Sequence, residues 1–301
     1  MVRGIGMVKV KEPLGDRVFN VVNYTVLCVI LLAVLYPLYF VVIASFSNPD
    51  AVNAGKVIFW PVQPSLEGYA RILSYTKLWV GYRNTIFYTV AGTAINVALT
   101  LTAGFALSRH KLPGMGIISA LILFTMLFSG GLIPRYLLIK NMGMLNTAWA
   151  MLLPGAVSVW NLIITRTFFR YTIPEELYEA AFIDGASGVR SFLSVALPLS
   201  SAIVAVIVLW YGVEHWNAFF DAMIFLKDYD RMPLQIILRD ILIATQAQDM
   251  ADAGQSAFEQ TRIAEYIKYG VIIVSTVPIL AVYPFLQRYF VKGVMVGAIK
   301  G

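Results

Sequence analysis

Two stretches concentrate reactive side chains in an otherwise apolar sequence. Residues 166–200, RTFFRYTIPEELYEAAFIDGASGVRSFLSVALPLS, hold seven charged residues between two long apolar runs. Residues 209–220, LWYGVEHWNAFF, set Glu214, His215 and Asn217 among Trp210, Tyr211 and Trp216. Neither has the parts of a catalytic centre. A hydrolase buried in a membrane needs a metal pair or an activated nucleophile, whereas the chain has two histidines, His110 and His215, and no HExxH. Its one cysteine, Cys28, allows neither an intrachain disulfide nor a thiolate cluster. The phosphate-cradling GxxxxGK[ST] is missing too, since VNAGKV has its Gly-Lys without the earlier glycine. No catalytic residue, no metal site and no cofactor bound by this chain are expected, and no enzymatic activity.

What the first stretch can do is dock. Thr172-Ile-Pro-Glu175 matches a capping box, with Pro174 tolerated in a first turn. A short helix is expected from there to Gly185, which can take the positive φ that stops it. At about 100° per residue, Glu175, Glu176 and Glu179 share one face; Leu177, Ala181 and Asp184 lie opposite, with Ala180 close by. ASGVRSFLSVALP then predicts a second short helix broken at Pro198. Alanines permit close backbone approach and carboxylates seek a basic partner, so the hairpin suits a protein interface. The residues alone are equally compatible with an amphipathic loop whose glutamates are solvated.

The elements that must position these groups are membrane spans. The chain has 301 residues, is 59% hydrophobic with a mean hydropathy of +0.73, and is 13% charged, about half the usual share for a soluble domain. Six stretches free of Asp, Glu, Lys and Arg, at 18–49, 84–108, 112–134, 141–165, 191–213 and 269–287, can each contain the roughly 20 residues that cross a ~30 Å hydrocarbon core. The first is far longer than the apolar core of a cleaved signal and reads as an uncleaved anchor. Six spans put both termini on the inner side. Lys and Arg then number twelve inside and eleven outside, and because the outer loops are much longer, the short basic inner loops set the orientation. The domains expected are an N-terminus at 1–19, a six-span membrane domain at 20–290 with an inner loop at 169–198, and a tail at 291–301.

Ionisable groups in a membrane helix face the bundle interior or a wet cavity, and aromatic faces beside hydrogen-bonding groups suit sugars. Trp210, Tyr211, Glu214, His215 and Asn217 are therefore candidates for a substrate pathway; the alternative is that this span is reaching the interface, where Trp and Tyr belong. Asn84, Tyr88, Asn96 and Asn161 are further candidates, each equally readable as an interhelical hydrogen-bonding residue. Residues 133–146 look like a short amphipathic outer helix.

The stretch EAAFIDGASGVRSFLSVALPLS resembles the cytoplasmic EAA loop of type I ABC importer permeases, through Glu179-Ala180-Ala181, Gly185 and Val195-Ala196-Leu197-Pro198 at matching spacing. GFALSRHKLPG, GMLNTAWAMLLPG, HWNAFFDAMIFL and QRYFVKGVMVGAIKG resemble the carbohydrate-uptake, maltose-transporter-like branch. Ala202 and Asp221-Ala222 depart from the family pattern, the latter at the outer mouth. The resemblance implies an all-α membrane protein: six transmembrane helices with a cytoplasmic helix-turn-helix EAA coupling loop, the transmembrane domain of a type I ABC importer.

It also implies partners: a second homologous permease forming a heterodimer, two cytoplasmic ATPase subunits carrying ATP and Mg, an extracytoplasmic solute-binding protein, an oligosaccharide substrate and membrane lipid, with no nucleic acid. The place is the bacterial cytoplasmic (inner) membrane, multi-pass, with both termini cytoplasmic, and the mechanism is alternating access. Glu179, Ala180, Ala181, Asp184, Gly185, Leu197 and Pro198 become the ATPase-coupling residues, with the tail VKGVMVGAIKG at the ATPase interface. FSGGLIPRYLLIKNMGMLNTAWAMLLPG resembles permeases for polysaccharide-derived oligosaccharides, including alginate and rhamnogalacturonan fragments. Arg83, Arg135 and Lys140 at the outer mouth lean towards an anionic sugar. The rival class is a secondary sugar transporter, for which Glu214 is the one acid in the spans and no second half resembles the first.

Overall fold

The computed structural model describes residues 13–109, 114–246, 266–282 and 284. The expectations for the first twelve residues, for His110 and for the tail 291–301 fall outside them. Among the described residues every regular element is helical.

Helix α1 (Leu14–Ser45) starts after Pro13, and of its 32 residues only Ile43, Ala44 and Ser45 are buried. Short helices α2 (Pro49–Asn53) and α3 (Glu67–Ser74) lead into α4 (Thr76–Ser108), the 33-residue centre of the fold. Then come α5 (Met115–Leu127), α6 (Leu132–Asn141), α7 (Trp149–Leu152) and α8 (Val159–Tyr171). Helix α9 (Glu175–Ile183) is followed by α10 (Gly188–Ser191), a π turn at Phe192–Ala196, α11 (Leu197–Leu199) and α12 (Ser201–Trp216). The rest is α13 (Phe220–Phe225), a 3-10 turn at Tyr229–Arg231, α14 (Leu234–Gln246) and α15 (Tyr266–Val282).

Glycines on α4 explain how its neighbours come so close. A Cβ on Gly81 would lie 2.5 Å from Ile237 of α14, one on Gly92 2.4 Å from the His215 ring of α12, and one on Gly104 2.6 Å from Thr165 of α8. Each missing side chain seats a different partner, which is how helices associate where no water drives them together.

Among the described residues, only α1 and α4 are single helices long and apolar enough to cross a membrane; α5 with α6 and α10–α11 with α12 make two more if bent pairs are joined, with breaks of 111° and 85°. The stretch 141–165 is not one long helix: α7 and a turn around Gly155, at φ +80°, precede the 13 residues of α8.

The hairpin differs from its expected caps. Pro174, not Thr172, is the N-cap of α9, and no side chain caps it. Thr172 is still in the αR region as the C-cap of α8, so the two helices are too close for its hydroxyl to serve the second. The second leg starts at Gly188, capped by the Ser187 hydroxyl on the Arg190 N–H. Its break comes at Ser200 rather than Pro198, because the π turn before Pro198 opens the helical ladder where proline withholds a donor.

Candidate docking hairpin and polar seam

Helix α9 ends in a complete Schellman motif: Ala186 N–H donates to the Ala181 carbonyl (2.9 Å) and Gly185 N–H to that of Phe182 (3.0 Å), with Gly185 at φ +75°. The expected role of Gly185 in the turn is what the backbone has. Glu175, Glu176, Glu179, Ala180 and Asp184 are exposed and Ala181 half-buried. Beside them Phe182 and Ile183 are 79% and 84% exposed, and Val189 71%, so the hairpin shows carboxylates next to bare apolar side chains. Leu197 is half-buried and Pro198 exposed at its return.

Tyr178, which sequence reasoning passed over, anchors this hairpin. Its buried ring packs with Leu101, Phe169, Ile173 and Ala196, and Phe105 of α4 lies 6.0 Å away between centroids. Arg109, just past the end of α4, lies over the ring at 3.6 Å and also over the Phe105 ring at 4.8 Å. Burial raises the Tyr178 phenol above its ordinary value, while the Arg109 charge pulls the other way. An aromatic amid the acidic and alanine positions of α9 was the available signal.

The polar candidates on the spans divide into three groups. Asn84 and Tyr88, on α4, hold the 3-10 turn: Asn84 donates to the carbonyls of Asp230 (2.7 Å) and Met232 (3.0 Å), and Tyr88 to that of Arg231 (2.8 Å). Asn96, Asn161, Tyr211 and His215 form a seam between α4, α8 and α12. The Asn96 amide meets His215 Nε2 at 3.1 Å, Thr100 meets the Tyr211 hydroxyl at 2.7 Å, and that hydroxyl accepts from the Ser158 N–H at 2.9 Å. The amide oxygens of Asn96 and Asn161 are buried without a partner. Trp210, Glu214 and Asn217 share the exposed face of α12 with Val213, at the i, i+4 and i+7 spacing of one helical side.

At the Thr76 end of α4 a second polar cluster went unread in the sequence. Arg135 of α6 grips Asp221 of α13 with both guanidinium nitrogens, at 3.1 and 2.7 Å, so its charge is already matched. Asn146, at φ +57°, accepts from the N–H groups of Lys227 and Asp228 and donates to the Asp228 carboxylate at 2.7 Å. Arg83 likewise turns to Asn84 and the Asp230 carbonyl. Among the described residues no three His, Cys, Asp or Glu side chains gather where a metal could sit.

No protein-family model matches the chain. It is 38% identical over 290 residues to the polygalacturonan/rhamnogalacturonan transport system permease protein YtcP of Bacillus subtilis (strain 168), covering 95% of this chain and 99% of that protein. It is 37% identical to Protein LplC of the same organism, over 95% and 96% of the two chains. Among solved structures it resembles a chain of a bacterial ABC transporter involved in the import of the acidic polysaccharide alginate, with a TM-score of 0.85 and 30% identity over 94% of this chain and all of that one.

Proposed function

The chain belongs to the sugar permeases of the ABC importers, and from that premise we propose that it forms half of the translocation pore of a binding-protein-dependent oligosaccharide importer. Six spans cross the cytoplasmic membrane, both termini lie inside, and 169–198 projects towards a partner ATPase. A second permease completes the pore, two ATPase subunits hold ATP and Mg, and a solute-binding protein delivers sugar from outside.

The observation that carries this reading is the hairpin. It presents Glu179 and Asp184 beside exposed Phe182 and Ile183, and it is seated on α4 through a buried aromatic. Carboxylates for a basic cleft, apolar groups to bury and a firm seat are what a surface needs if another subunit is to pull on it. Ala180, Ala181, Gly185, Leu197 and Pro198 shape that surface rather than contact ATP. Trp210, Glu214 and Asn217 face the pore: their side of α12 is open in the single chain, and Glu214 has no place against lipid. Asn96, Asn161, Tyr211 and His215 line up behind them, while Asn84 and Tyr88 fix the outer turn. The names of the similar proteins favour fragments of acidic polysaccharides as cargo.

The test is ATP hydrolysis by the reconstituted complex with its binding protein and a panel of neutral and uronate oligosaccharides. Sugar-stimulated hydrolysis should appear with the uronates, be abolished by Glu179→Ala and be lowered by Gly185→Asp. Hydrolysis indifferent to both substitutions would remove the coupling assignment.

A further inference from the structure

Between α14, α15 and the end of α12 lies a cavity of about 470 Å³. Its lining includes Arg239, Lys268, Asn217, Gln235, Thr276 and Phe219. Arg239 is exposed, Lys268 half-buried, and neither forms an ion pair among the described residues. In this they differ from Arg135, whose charge Asp221 matches. Glu214, one turn back on α12, is not part of the lining.

Two cations with no carboxylate partner among the described residues suit an oxyanion. The amides of Gln235 and Asn217, the first donating to the second at 3.4 Å, and the hydroxyls of Ser275 and Thr276 keep donors and acceptors suited to ring hydroxyl groups, and Phe219 offers a flat apolar face for the C–H side of a sugar ring. The volume falls in the range of small-molecule sites. An anionic lipid headgroup shares the charge but has no use for two amides and an aromatic ring in the same lining. In the topology proposed above its residues belong to α14 and to the outer ends of α12 and α15, on the side where cargo arrives.

We propose that this pocket is an acidic-sugar subsite, in which Arg239 and Lys268 take the carboxylate of a uronate residue as the oligosaccharide enters the pore. The assignment rests on the sugar-importer reading and deepens it, adding where the charge of the cargo is read.

The experiment titrates the complete importer, in phosphatidylcholine nanodiscs without the binding protein, with trigalacturonate and with its uncharged methyl ester. The unchanged importer should bind trigalacturonate at least about tenfold more tightly than the ester, as a lost charge-assisted contact implies. Arg239→Gln and Lys268→Gln should each erase most of that preference, and Arg239→Lys should keep it. Equal binding of acid and ester, or a preference untouched by both glutamine variants, overturns the subsite. So does a loss shared by Arg239→Lys, which marks a structural role, and so does displacement of trigalacturonate by phosphatidylglycerol nanodiscs with no such effect on uptake, which assigns the cations to lipid. Binding-protein-stimulated ATP hydrolysis in the same samples reports the importer reading separately: if no oligosaccharide stimulates it, that reading fails, whatever the titration gives.

Discussion

The Arg109 guanidinium stands 3.6 Å from the centre of the Tyr178 ring, so the residue that closes α4 clamps the helix carrying Glu179. A cation over an aromatic face in a partly dry setting contributes about 1–2 kcal/mol. Tyr178→Ala, which also empties a buried site, should cost about 3 kcal/mol or more and reduce sugar-stimulated ATP hydrolysis well below that of Tyr178→Phe, which keeps the ring. Equal activity of the two variants would show that the ring does not seat the hairpin.

The same pair has a pH signature. Burial raises the phenol of Tyr178, so its contribution is fully present below the ordinary value of 10.0 and is lost as pH rises through the higher folded value. Coupled hydrolysis in Tyr178→Phe and in the unchanged chain should therefore run in parallel from about pH 6 to 9. Divergence within that window would mean that the phenol ionises more easily than its surroundings imply.

Gly185 sits at φ +75° with open space where a Cβ would go, so substitution strains only the backbone. A β-branched residue there costs about 1–2 kcal/mol and asparagine less. Stimulated ATP hydrolysis should rank glycine above Gly185→Asn and both above Gly185→Val; an order set by side-chain size alone would implicate a contact with the partner instead.

At Gly92 the problem is volume. Gly92→Ala drives a methyl into His215 and should lower the melting temperature of the purified complex, at about 1–3 kcal/mol. His215→Ala alone leaves the Asn96 amide unpaired and also destabilises. Combined, the two should cost less than the sum of the single changes; strict additivity would separate the helices at this point.

The strong sequence signals were those with local causes. Long apolar runs, the glycine that ends α9 and the acidic face of that helix follow from neighbours a few residues apart. The capping box does not form because only three residues separate α8 from α9, a fact that lies in packing. Arg135 looked like a free cation for an acidic sugar because its partner, Asp221, lies 86 positions away; Asn84 and Tyr88 looked like pore residues because the turn they hold comes after position 228. The stretch 209–220 stands out in the sequence, but only the helix geometry separates Trp210, Glu214 and Asn217 from the buried Tyr211 and the half-buried His215.

Helix α4 contains no proline, and at 1.5 Å per residue its 33 residues extend about 50 Å. Phe105 and Arg109 grip the hairpin at one end, and Asn84 and Tyr88 grip the 3-10 turn at the other. A rod of that length has a mechanical advantage: a tilt of roughly 5° at one end displaces the other by roughly 4 Å, simply from its length. No proline interrupts it, so such a displacement is carried by the helix itself, without a chain of intermediate contacts to relay it.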